Sequence, residues 1–193
     1  MQTRLINQLN DCNILRNEQY GFRSGLNTDS ATYKLTNEIL YALNNKALIG
    51  GIFCDLEKVF DCVDHEILLL KLKTYGITDN HYKLYKSYLN NRYQRTLVYD
   101  QTGNAVTSTW AKVIHGVPQG SILGPLLFLL FINDLPMFVR EKSIPILFAD
   151  DTSILISHSN LFDFKNEIKT LFITLNEWFK IICFLWIFLK HNL

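Results

Sequence analysis

A chain of 193 residues with 48% hydrophobic and 19% charged side chains has the length and composition of one core-bearing domain, and its formal charge of +1 gives no global pointer to nucleic acid, so any basic surface must be local. The cysteines at 12, 54, 62 and 183 form no C-x-x-C pair and no zinc spacing, which predicts reduced thiols and, with no apolar signal core after Met1, an intracellular protein. The longest uncharged apolar runs, residues 122–132 and 181–189, are too short to cross a bilayer, so no membrane partner is expected.

Leu5, Ile6, Leu9, Ile14 and Leu15 recur at roughly helical spacing and predict a helix within residues 1–17 that runs into a loop. Gly21 and Gly25 bracket the next loop. Asn27, Thr28 and Asp29 then supply capping chemistry for a helix to about residue 45, with Leu35, Ile39 and Leu43 on its core face. Residues 48–56 form a near-continuous apolar run that predicts a buried strand ending on Asp55, a lone carboxylate in need of a partner. Residues 56–64 turn into a helix. Residues 65–75 are strongly helical, with Asp64 as N-cap and Gly76 as the residue that ends the helix.

Residues 79–91 read as a further helix carrying Tyr82, Tyr85 and Tyr88. Between His65 and Arg95, six basic residues stand against Glu66 and Asp79. Lysine and arginine interleaved with tyrosine suit a phosphate backbone with stacking platforms, and equally suit a solvated face beside an aromatic core stripe. Residues 93–99 and 105–114 predict a hairpin around a turn at 100–104. It leads to Gly-Val-Pro-Gln-Gly at 116–120, whose glycines permit close approach of backbone to a ligand and whose Pro118 stiffens the turn. The apolar run that follows predicts a buried helix with Gly124 and Pro125 near its start.

Residues 144–156, Ile-Pro-Ile-Leu-Phe-Ala-Asp-Asp-Thr-Ser-Ile-Leu-Ile, predict a hairpin with Asp150 and Asp151 at or beside its turn. Adjacent carboxylates repel, which raises the pKa of one of them unless a cation neutralises both, and nothing basic lies within the run. A metal site and a polar turn are the two readings. Asp55 beside this hairpin would give three carboxylates from two non-contiguous strands, the minimum for two metal ions bridged by carboxylates. Residues 161–180 predict an amphipathic helix with Phe164, Ile168, Leu171, Phe172, Leu175, Trp178 and Phe179 toward the core.

Residues 53–65, Phe-Cys-Asp-Leu-Glu-Lys-Val-Phe-Asp-Cys-Val-Asp-His, residues 116–125, Gly-Val-Pro-Gln-Gly-Ser-Ile-Leu-Gly-Pro, and residues 148–151, Phe-Ala-Asp-Asp, resemble motifs A, B and C of the reverse transcriptases of non-LTR retrotransposons, in the family's order. Residues 18–25, Glu-Gln-Tyr-Gly-Phe-Arg-Ser-Gly, resemble the segment before motif A, and residues 132–136, Ile-Asn-Asp-Leu-Pro, the continuation of motif B. The resemblance implies an α+β fold: a polymerase palm, with a small antiparallel sheet backed by helices, partial fingers and no thumb. It divides the chain into a reverse transcriptase domain at 1–181 and an aberrant tail at 182–193, as in a truncated copy. With one choice of codons for residues 184–191, dropping two nucleotides gives a family-like sequence there, the hypothesis for this departure.

By the same resemblance the activity is RNA-directed DNA synthesis, the transfer of a nucleotide from dNTP to a DNA primer 3′-hydroxyl on an RNA template. Asp55, Asp150 and Asp151 are then catalytic and hold two Mg²⁺ ions, with Mn²⁺ as a possible substitute, and the carbonyl of Leu56 is a further ligand. Phe60 lies under the sugar of the incoming nucleotide and excludes a 2′-hydroxyl. Gln119 and Gly120 contact the nucleotide and the template base. Phe148 and Ala149 pack beneath the primer end, and Arg23 either touches template or nucleotide or is a solvated loop arginine. Val59 stands where the family has alanine, and Lys190 stands near the position of a family lysine. A catalytically inactive remnant that at most binds nucleic acid is the alternative. An RNA-directed RNA polymerase would require a smaller residue than Phe60, and a nucleotide cyclase has no use for the loop at 118–120.

Overall fold

β7 (Asp151–His158) carries three consecutive apolar residues, Ile154 and Ile156 facing one way and Leu155 the other, and all three are buried. In this computed structural model, which describes residues 2–55, 58–141 and 143–182, β7 is the middle strand of an antiparallel sheet. It pairs on one side with β6 (Ile144–Phe148), through a turn at Ala149 and Asp150, and on the other with β1 (Leu48–Cys54). Leu56 and residues 183–193 lie outside the described residues, and with them the expected carbonyl ligand and nearly all of the expected tail.

Both faces of this sheet are covered. α2 (Thr28–Asn44), capped by the Asn27 side chain on the amide of Ser30, packs Ala31, Leu35 and Ile39 against Ile146 and Leu155. On the opposite face, Leu147, Ile154 and Ile156 join the main core with α6 (Gly124–Ile132) and α8 (Leu161–Ile181). α1 (Gln2–Asp11), α4 (His65–Thr74) and α5 (Asp79–Leu89) close this core with Leu5, Leu9, Leu68, Leu72, Tyr85 and Leu89. α6 is buried along almost its whole length, as its unbroken apolar run predicts, and Ile182, assigned above to the tail, is also fully buried. The result is the expected α+β architecture.

Two expectations about faces need correction. Leu43 is exposed, and Ala42 takes its place in the interior, because a step of four residues drifts off a face that repeats every 3.6. β1 is an edge strand rather than a buried one, and Phe53 is 64% exposed. Its glycines let the helix layer close in: a Cβ on Gly50 would lie 2.9 Å from Cζ of Phe164 on α8.

α5 resolves the ambiguity of its tyrosines. Tyr85 is buried and Tyr82 and Tyr88 pack on the core, so they form a core stripe, with Lys83 and Lys86 outside. The hairpin that follows is two short ladders in series: β2 (Arg92–Gln94) with β5 (Ala111–Val113), then β3 (Leu97–Tyr99) with β4 (Ala105–Thr107). At its tip Asp100 accepts hydrogen bonds from the amides of Thr102 and Asn104, which hold its carboxyl below the usual carboxylate range, led by the Thr102 hydroxyl. Two short helices, α3 (Val59–Cys62) and α7 (Leu135–Val139), complete the described elements.

One polar node joins the helical layer. Lys71 of α4 donates to the carbonyl of Phe131 at the end of α6 and to Asp134 at 2.7 Å, and its ammonium lies 5.6 Å from the Trp178 ring on α8. Burial lowers the pKa of Lys71, and the Asp134 carboxylate opposes that shift.

Candidate active site

Three carboxylates are carried at one end of the sheet. Asp55 follows the last residue of β1, Asp150 sits in the β6–β7 turn, and Asp151 opens β7. The register pairs Cys54 with Thr152, so Asp55, one position beyond β1, falls opposite Asp151, the first residue of β7. The Asp151 carboxyl is pushed above its ordinary pKa, first by partial burial and then by the negative charges of Asp150 and Asp55. None of the three has an ion-pair partner among the described residues. Uncompensated carboxylate oxygens fit a hard divalent cation in donor chemistry. No group of three or more His, Cys, Asp or Glu side chains among the described residues is arranged to hold one. Burial pushes the thiol of Cys54, the residue before Asp55, up to about 12 and keeps it neutral.

The turn carrying Asp150 is held from the far end of the chain. The segment at 18–21 lies beside β6, with the amide of Tyr20 donating to the carbonyl of Leu147 and the amide of Leu147 to that of Glu18. Gln19 is buried, and its Oε1 accepts from the amides of Gly21 (2.7 Å) and Ala149 (3.0 Å). Ala149 has φ +55°, a conformation that costs a non-glycine residue energy and needs support. Gly21 is required by proximity, since a Cβ there would stand 2.3 Å from the nitrogen of Ala149. Arg23 braces the same loop, donating through Nη1 to the carbonyls of Arg16 and Gln19. It is therefore not a solvated loop arginine, and that nitrogen serves the protein's own backbone.

α3 and the loop at 116–120 are bonded to each other. The amide of Gly116 donates to Val63 and that of Val117 to Phe60, while His65 is buried with Nε2 at 2.8 Å from the carbonyl of Gly116. That carbonyl can only accept, so Nε2 of His65 carries the proton and the residue has a structural role. Gly116 has φ +86°, and its Cβ would lie 2.9 Å from Cα of Asp61. The close approach expected toward a ligand is here toward α3. Gln119 is exposed and donates its side-chain amide to Asp61 at 2.9 Å, and Gly120 has open space where a Cβ would be. Phe60 is half-buried, edge-on to Phe22 at 6.4 Å and 4.6 Å from the ring of Phe128. Phe148 packs on the α2 side of the sheet and Ala149 is buried.

A family profile described as "Reverse transcriptase (RNA-dependent DNA polymerase)" matches residues 1–182. The chain belongs to the reverse transcriptase family. Among its relatives, the probable RNA-directed DNA polymerase from transposon BS of Drosophila melanogaster is 34% identical over 188 residues, which cover 92% of this chain and 20% of that protein. The RNA-directed DNA polymerase from mobile element jockey of the same species is 28% identical, with 92% and 20% covered. The chain thus spans about a fifth of the length of these relatives. The apo telomerase of Candida tropicalis matches with a TM-score of 0.61 at 16% identity, covering 93% of this chain and 34% of that one, which shows a shared fold.

Within this reverse transcriptase domain, sequence reasoning located the three aspartates and missed what holds them. Gln19 carried a signal, as an amide two residues before a glycine in a segment with no helical or strand period. Asp61 carried none, because its partner Gln119 is 58 residues away and nothing local to either residue links them.

Proposed function

We propose that the domain catalyses RNA-directed DNA synthesis, adding nucleotides from dNTP to a DNA primer on an RNA template. The observation that carries this reading is the placement of Asp55 and Asp151 at adjoining ends of the paired strands β1 and β7, with Asp150 in the turn between β6 and β7, in a chain of this family. These carboxylates would hold two Mg²⁺ ions, with Mn²⁺ as a substitute and the carbonyl of Leu56 as a further ligand. Ions bound there would supply positive charge to stabilise the primer oxygen and the departing pyrophosphate. Phe60, in ring contact with Phe22 and Phe128, would stand under the sugar of the nucleotide, where its bulk excludes a ribose 2′-hydroxyl and favours dNTP over the substrate of RNA synthesis. Gln119 and Gly120 border the nucleotide, and the Phe148–Ala149 backbone supports the primer end. The thiols of Cys12, Cys54 and Cys62 are free, which suits an intracellular site of action.

A second reading, an inactive remnant that retains only nucleic-acid binding, draws on the side-chain amide of Gln119 being committed to Asp61. Primer extension on an RNA template with Mg²⁺ and dNTPs separates the two. Synthesis by the wild-type chain that is lost in Asp150→Asn is the expected result. Absence of synthesis from both proteins, with native circular dichroism, assigns the chain to the remnant class.

A further inference from the structure

We propose that the exposed hairpin of β2 to β5 is a platform for an unpaired nucleic-acid strand, guiding it to the loop at 116–120. The inference deepens the polymerase reading and rests on it for the strand's identity as template. Charge makes the first argument. Residues 80–133 contain five lysines and arginines, namely Lys83, Lys86, Arg92, Arg95 and Lys112, against the single carboxylate Asp100, in a chain whose net charge is +1. Asp100 is at the hairpin's far tip and its oxygens are taken up by Thr102 and Asn104, so the base of the hairpin has no negative charge of its own.

The second argument is the aromatic surface. Tyr93 lies directly across from Lys112 in the β2–β5 ladder, and the guanidinium of Arg95 stacks 4.8 Å from the ring of Trp110. Tyr93 and Trp110 are 60% and 62% exposed, and what sets them apart from other exposed rings such as Tyr33 and Phe162 is the cation beside each. Cations beside open aromatic faces suit a single strand: the rings stack on bases and the cations meet phosphates. A duplex hides its base faces and has no use for the rings.

The third argument gives direction. Arg92, Gln94 and Val113 alternate with the Tyr93 and Lys112 positions and line a cavity of about 410 Å³ shared with His115, Pro118, Gln119 and Asp61, whose carboxylate accepts from the Gln119 amide. In that region Nη1 of Arg92 is buried without a hydrogen-bond partner among the described residues, a donor that a phosphate oxygen would satisfy. One ladder thus joins an exposed stacking face to a polar cavity that opens on the proposed template contacts.

The test is fluorescence anisotropy of the full chain, without dNTP, against a labelled single-stranded RNA of about 20 nucleotides and against the matching duplex. Trp110→Ser and Tyr93→Ser are each expected to weaken single-strand binding by about tenfold, with little effect on duplex. The double variant Arg95→Gln/Lys112→Gln is expected to reduce the slope of log affinity against log salt by about 1.4, at roughly 0.7 per lost phosphate contact on a single strand. Lys165→Gln/Lys169→Gln on α8 serves as the control and should leave both quantities unchanged. Circular dichroism confirms folding, which these exposed side chains do not support. Hairpin variants that bind like wild type, or that weaken duplex and single strand alike, overturn the proposal. So does a variant whose only change is loss of self-association or of a protein partner in sedimentation. Binding is read without synthesis, so a chain inactive in primer extension can still pass, and the two readings fail separately.

Discussion

Gln19 connects parts of the chain 130 residues apart through one amide, and its Oε1 serves both the turn that carries Asp150 and the glycine laid against that turn. Gln19→Leu would leave two buried amides without an acceptor, at about 1–3 kcal/mol each. A stability loss of about 2–4 kcal/mol in urea denaturation is expected, with primer extension falling by about 100-fold mainly in kcat, since a shift of ~1 Å at a reacting centre is sufficient for that. A change below about 0.5 kcal/mol would mean that the amides find other partners. Asp151 sets a pH dependence at the same site. Its pKa is raised on folding, so its protonated form favours the fold; that contribution is complete below the ordinary carboxylate value of about 3.9 and is lost as pH rises through the raised one. Asp151→Asn should therefore raise the Tm at neutral pH and lose this advantage below about pH 3. Mg²⁺ should raise the neutral-pH Tm of wild type more than that of Asp151→Asn, and equal shifts in the two proteins would sink the metal assignment.

At the scale of elements, the chain was legible wherever the determinant was local. Asn27 and Asp64 cap α2 and α4 as their positions predict, and Asp64 accepts from the amides of both Glu66 and Ile67. Gly76, at φ +80°, ends α4 in a conformation that suits glycine. The β6–β7 hairpin follows from two apolar runs with an acidic centre. What local pattern could not tell was which element covers which face. The apolar run of β1 read as buried, yet it lies at a sheet edge, and Leu43 read as core although the helix turns it outward. The tyrosines of α5 show the same limit, since a core stripe and a stacking surface have one periodicity and differ only in what packs against them. The exposed aromatic surface is on the next element instead, where every residue of β3 and β4 and most of β2 and β5 are exposed.

Across the whole molecule, Lys71 does for the helices what Gln19 does for the turn. Its ammonium meets the carbonyl of Phe131, the carboxylate of Asp134 and the ring of Trp178, so α4, α6, α7 and α8 share one contact. Removing only the carboxylate strands a largely buried charge, whereas removing both charges does not. Asp134→Ala is expected to cost about 2 kcal/mol in chemical denaturation, less than for a fully buried pair because Asp134 is partly exposed. The double variant Lys71→Met/Asp134→Ala should be more stable than Asp134→Ala alone, and simple additivity of the two losses would argue against a stranded charge. The hydrogen bond between Gln19 and Ala149 also bears on the order in which the molecule assembles. Closing a loop of 130 residues costs about 4 kcal/mol in chain entropy, far more than the short reach needed to pair β6 with β7. The hairpin can thus form early and locally, while the turn that presents Asp150 is set only when the first residues of the domain return to it, which makes the arrangement of the carboxylates a late event in folding.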